Sequence, residues 1–224
     1  MTCMHEKIEA ALDRWQESHW YLHQIEGHYH DADALRYSMN AFVRSLREIP
    51  DMVTMALQNH QGFPVWHRPV RAELELQDPL FSQVIRHRNQ IVHRSMLMPA
   101  SKAYVASIRG FTVKMQFGFY VDPFEDSNQA MQRFMDMSKK DPILMQALAP
   151  DETQVLALIR EWHIEGFDED IIASFRSAWI RVTSYLSGIL TFLGEDRLPE
   201  GLPSCFEDPR RFRYKKYNDI HLHL

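Results

Sequence analysis

Residues 86–97 read RHRNQIVHRSML, with Arg86, Arg88 and Arg94 interleaved with His87, Asn89 and His93. These side chains can do chemistry. Imidazole is the group that moves a proton near neutral pH. Guanidinium holds anionic oxygens in a two-pronged grip. The neighbouring residues, however, have the pattern of a packed helix. Asp78-Pro79 reads as an N-cap followed by proline at the first helical position, and Pro99 reads as a stop. The spacing predicts one helix over about 79–97. With Arg88 at zero and about 100° per residue, Phe81, Val84, Ile85, Ile91, Val92 and Met96 fall within about 80° of it. Ser82, Arg86, Asn89 and His93 form the adjoining polar flank. A guanidinium inside an apolar arc is costly unless it is paired or faces a polar cleft. Either a salt bridge to an acid such as Glu48 or Glu73, or a functional cleft, satisfies that demand.

The elements that would carry this helix are mostly helical. Residues 4–26 place Ile8, Leu12, Trp15, His19, Leu22 and Ile25 at 3–4 spacing. Asp31 or Asp33 caps a second helix with Leu35, Met39, Phe42, Leu46 and Ile49 on one stripe and a kink or short break at Pro50. Residues 58–70 read as a loop, and 70–77 as a short helix. Residues 103–121 alternate Phe111, Val113, Met115, Phe117 and Phe119 with polar neighbours, which predicts a β-hairpin. Helical patterns resume over 125–147, 151–163 and 168–193. The run EGFDED at 165–170 reads as an acidic helix start. The expected fold class is therefore mainly α, a helical bundle with a β-hairpin inserted at 103–121. Residues 1–194 form a single domain in this reading, and 195–224 a basic-aromatic tail.

The chain has 224 residues, 45% of them hydrophobic, and a net charge of −5, so no global field draws in a polyanion. Anion binding must come from local clusters. Cys3 and Cys205 are the two cysteines, far apart and outside any metal motif. With no signal-peptide pattern they read as free thiols in a cytoplasmic protein. No apolar run approaches a membrane span. Phosphate-loop, Rossmann and nucleophile-elbow patterns are absent, and no cofactor is expected.

Arg88-Asn89-Gln90-Ile91-Val92-His93 resembles the Arg-polar-x₃-His signature of the HEPN superfamily. Arg86 satisfies the longer spacing to His93. The Arg44-Ser45 pair in the second helix is also similar to that family over about 31–97. The resemblance implies an all-α bundle and a homodimer whose signature helices line one cleft. It implies a metal-independent endoribonuclease, of toxin or defence type, in which an RNA 2′-hydroxyl attacks the adjacent phosphorus and leaves a 2′,3′-cyclic phosphate. Arg88 and His93 would be catalytic and Asn89 supporting, with Arg86 and Arg94 on flanking phosphates and a cognate antitoxin as a possible partner. The alternative is a non-catalytic HEPN-like nucleotide-binding or assembly module. Where one toxin branch has tyrosine two residues past the histidine, this chain has Ser95.

Two other groups stand out. His19, His23, His28 and His30 lie close in sequence, and an i, i+4 histidine pair can seat a metal, but no acid stands at HExxH spacing and no metal site is assigned. Residues 210–217, RRFRYKKY, combine cations with Phe212, Tyr214 and Tyr217. Arg211, Arg213 and Lys215 read as RNA contacts there, against the simpler reading of a tail packing its aromatics on the domain.

Overall fold

The computed structural model describes residues 4–148, 154–195, 198, 208 and 210–217. A 3-10 turn at Met4–Ile8 leads into α1 (Glu9–Gly27), which pairs along its length with α2 (Ala32–Leu57). Asp31 caps α2 by accepting from Ala34 N–H at 2.9 Å. The helix runs through Pro50 without a break, where the sequence predicted a kink or a short break. It holds because its apolar stripe (Leu35, Met39, Phe42, Leu46, Ile49, Val53) is fully buried and outweighs the local cost of the ring. The predicted loop after it is instead α3 (Phe63–Ala72), with Pro64 in its first turn, followed by a π-helical turn at Glu73–Gln77. Then come α4 (Pro79–His93), α5 (Ser127–Ser138), α6 (Pro142–Leu148), α7 (Ile171–Phe192) and a single helical turn, α8 (Arg210–Arg213). The pattern read as one helix over 125–147 is thus two.

The strands correct the sequence reading most. β1 (Ala100–Arg109) and β2 (Thr112–Tyr120) form the expected hairpin, turning at Gly110 with a positive φ. The hairpin is not an isolated insertion. Residues expected to be helical form β3 (Val155–His163), and the run expected to be a tail supplies β4 (Tyr214–Tyr217). The four strands make one antiparallel sheet in the order β2-β1-β3-β4. The protein is therefore mostly helical with a small four-stranded sheet.

Three apolar bodies result among the described residues, two of which pack helices. The larger joins α1, α2 and α7, with Phe42 stacked on Phe175 at 4.6 Å and Trp15 on Trp179 at 5.2 Å. The smaller lies between one sheet face (Ala103, Val105, Leu156, Leu158) and α5 with α6 (Met131, Phe134, Leu148). Asp170 ties Tyr29 and Trp162 to the start of α7. It caps α7 by accepting from Ile172 N–H, and it also accepts from Trp162 N–H and from the Tyr29 hydroxyl. The acidic run at 165–170 is a helix start, as its composition suggests. No helix among the described residues is long and apolar enough to cross a membrane.

Candidate functional site

Three local devices fix α4. Asp78 Oδ1 accepts from Phe81 N–H at 2.8 Å, and Asp78 Oδ2 pairs with Arg181 of α7 at 3.2 Å. At the other end, Asn40 of α2 accepts from Leu97 N–H at 2.9 Å and pins the exit segment. The third is the loop after β3. Gly166 there takes φ +87°, and a Cβ at that position would lie 2.4 Å from Gln83 Oε1 of α4. The positive φ favours glycine there, and the Gln83 amide, at the end of a flexible side chain, packs into the space a Cβ would take.

The helix is shorter than predicted and rotated from the predicted orientation. Its buried residues are Phe81, Val84 and His87. His87 Nε2–H donates to the Glu165 carbonyl at 2.9 Å and its ring stacks on Phe167. Burial pushes the His87 pKa down. Arg88 is therefore not the centre of the inward face. It is half-exposed and donates to Asn89 Oδ1 at 3.4 Å, while Val92 is 47% and Met96 39% exposed. The expected salt bridge to Glu48 or Glu73 is not made, and Glu48 instead lies 3.4 Å from Arg14. The physical reason is coverage. The 164–167 loop closes over His87, whereas nothing among the described residues closes over Val92.

The polar flank does form one site. Ser82, Arg86, Asn89, Gln90, His93 and Arg94 line a groove of about 560 Å³ open to solvent. Asn89, His93 and Arg94 are exposed, and Arg86 pairs with exposed Glu165 at 3.1 Å. The structure thus brings together four of the five predicted residues of this helix: Arg86, Asn89, His93 and Arg94. Arg88 lies outside the groove, and Gln90 was not predicted as part of the site. Chemically the groove offers an accessible imidazole, two guanidiniums, two amides and a hydroxyl, a set suited to an anionic oxygen and a proton transfer.

The C-terminal residues predicted to bind RNA divide. Arg211 is exposed on α8. Arg213 is half-buried against Asp170 at 3.5 Å and Glu161 at 3.7 Å, a structural role. Lys215 pairs in register with Leu158 and so lies, half-buried, on the sheet face that packs against α5. Lys216, its neighbour, takes the opposite face. Of the histidines only His19 and His23 meet, edge to face at 4.6 Å, while His23 bonds Glu26 at 2.8 Å and His30 bonds Ser127 at 2.7 Å. Among the described residues, no three His, Cys, Asp or Glu gather as metal ligands.

The family model described as bacteriophage lambda protein ea47 matches residues 3–111. That stretch holds α1 to α4 and β1, hence the whole groove. This is the family to which the chain is similar, and it overturns the resemblance to the HEPN superfamily drawn from Arg88 to His93. An arginine and a histidine at that spacing on a capped helix recur without common descent. No curated protein and no solved structure matches the chain.

Proposed function

We propose that the chain is a metal-independent endoribonuclease whose working face is the Arg86–Asn89–His93 groove of α4. The observation that supports this reading is that an accessible imidazole, two amides and two guanidiniums line one open groove. In this reading His93 takes the proton of an RNA 2′-hydroxyl. The 2′-oxygen bonds to the adjacent phosphorus, and Arg86 stabilises the charge on its equatorial oxygens. The bond to the 5′-oxygen breaks, giving a 2′,3′-cyclic phosphate and a 5′-hydroxyl. The departing oxygen takes its proton from a second imidazole or from water.

One helix face is a single wall. A homodimer packing two copies of α4 through Val92 and Met96 supplies the second, and brings Arg88 to the partner's groove across a two-fold axis. A role as a toxin or defence effector restrained by an antitoxin belongs to the same proposal. The ion pair between Arg86 and Glu165 favours one rival, a binding or assembly module without catalysis, because it leaves the cation neutralised at rest.

The test is cleavage of single-stranded RNA in the presence of EDTA. His93→Ala should lower the rate about 10²–10⁴-fold and Arg86→Ala about 10²–10³-fold, with the fold retained. DNA and 2′-O-methyl RNA should resist. Cleavage undiminished in His93→Ala overturns the assignment. Binding of RNA without cleavage establishes the rival.

A further inference from the structure

The sheet has a second face. Its centre is Ala106, Ile108, Ala157 and Ile159, none more than 6% exposed, so the accessible part of this face is its rim. Aromatic and basic residues surround this small-residue floor. Tyr104 of β1 and Tyr214 of β4 stand in register on either side of Ile159, two strand spacings or about 10 Å apart. Tyr104 lies flat because its partner across β2 is Gly118. A Cβ at Gly118 would come within 3.0 Å of the ring. Phe111, 43% exposed at the hairpin turn, lies 6.1 Å from Tyr214. Arg210, paired at rest with Asp208 at 2.8 Å, sits 5.2 Å from the centre of the Phe111 ring and Lys216 5.1 Å from it. Tyr104, Gln116, Arg210 and Tyr214 open onto a concavity of about 250 Å³, where Glu161 also lies, paired with Arg213 at 3.7 Å.

We propose that the aromatic and basic rim of this face binds single-stranded nucleic acid. Bases stack on Tyr104, Tyr214 and Phe111, and Arg210 and Lys216 meet the phosphates between them. An acidic peptide would use the cations but not the flat rings. A base needs a ring face with a cation beside it, and both are here. Stacking reads the π-face that every base has, so the site accepts DNA and RNA alike. The inference is independent of cleavage at α4.

The experiment is fluorescence anisotropy of the full chain with labelled dT12 and with 2′-O-methyl U12, neither of which the proposed nuclease can cut. Both should bind, with log affinity falling against log salt at about −0.7 per phosphate contact, hence about −1.4 for the Arg210 and Lys216 pair. Tyr104→Ala should weaken binding about five-fold or more, and Tyr104→Phe should keep it. Gly118→Val, which displaces the ring, should act like Tyr104→Ala. Arg210→Ala with Lys216→Ala should both weaken binding and flatten the salt slope. Circular dichroism of each variant separates lost contact from lost fold. Failure of both oligonucleotides to bind overturns the proposal, as does unchanged binding in Tyr104→Ala and in the double cation variant. Binding lost only in Arg86→Ala or His93→Ala places the contact on α4 instead and refutes this one.

Discussion

His87 and His93 stand six positions apart on one helix and have opposite environments. His87 is sealed between Phe167 and the Glu165 carbonyl, while His93 is open to solvent at the last turn. The sequence separates neither from the other, because what covers a helix face comes from elsewhere in the chain. Caps are local, so Asp78 and the acidic run ending at Asp170 were legible. The orientation of Arg88 was not. Asp170 illustrates how much one residue carries. Asp170→Ala removes the cap of α7 and leaves the buried Tyr29 hydroxyl and Trp162 N–H without their acceptor. A lost cap costs about 1 kcal/mol and each of the two stranded buried donors about 1–3 kcal/mol, so a loss of about 3–7 kcal/mol is expected. Urea unfolding followed by tryptophan fluorescence measures it. A change below about 1 kcal/mol would show that Asp170 is not what ties Tyr29 and Trp162 to the start of α7.

Among the elements, the hairpin announced itself through alternation and the turn at Gly110. β3 did not, because VLALIREWH is buried on both faces and so lacks the period that distinguishes a strand from a buried helix. Arg160 adds to the disguise. It is fully buried within that strand, donates to Ser101 Oγ at 2.9 Å and stacks over Trp162, and burial brings its pKa down to about 10. β4 is only four residues, too short to register as a strand in a basic run. An inserted hairpin should be dispensable for helix packing. β1, however, is an inner strand, so replacing residues 100–120 by a short linker removes the middle of the sheet and uncovers the apolar side of α5. That variant should lose strand signal beyond the hairpin's own share and expose Met131 and Phe134, read out as dye binding and proteolysis within α5. A variant as protease-resistant as the parent would mean that α5 packs without the sheet.

At the scale of the whole molecule, several histidines are held neutral by the fold. Burial lowers the pKa of His30 to about 3, with Lys215 and Arg160 adding to the effect. Burial and the neighbouring His23 lower His19 to about 4. His67 and His87 move the same way. Each has an ordinary value of 6.5 in the unfolded chain. Below that pH the unfolded state binds protons that the folded state refuses, so stability is complete above about pH 6.5 and falls as the pH drops toward 3–4. Thermal midpoints should be flat from pH 7 to 8 and decline below 6, with His30→Gln reducing the slope. A flat profile from pH 7 down to 4 would contradict this. The sheet imposes a timetable as well. β3 takes one partner 55 positions earlier and the other 55 positions later, as Tyr104, Ile159 and Tyr214 show. On a ribosome adding about 5–20 residues per second, the outer edge of β3 stands bare for roughly 3–10 s before residues 214–217 are made. During that interval a strand rich in leucine and isoleucine is open to any other growing copy, so the yield of native protein is set partly by the rate of synthesis.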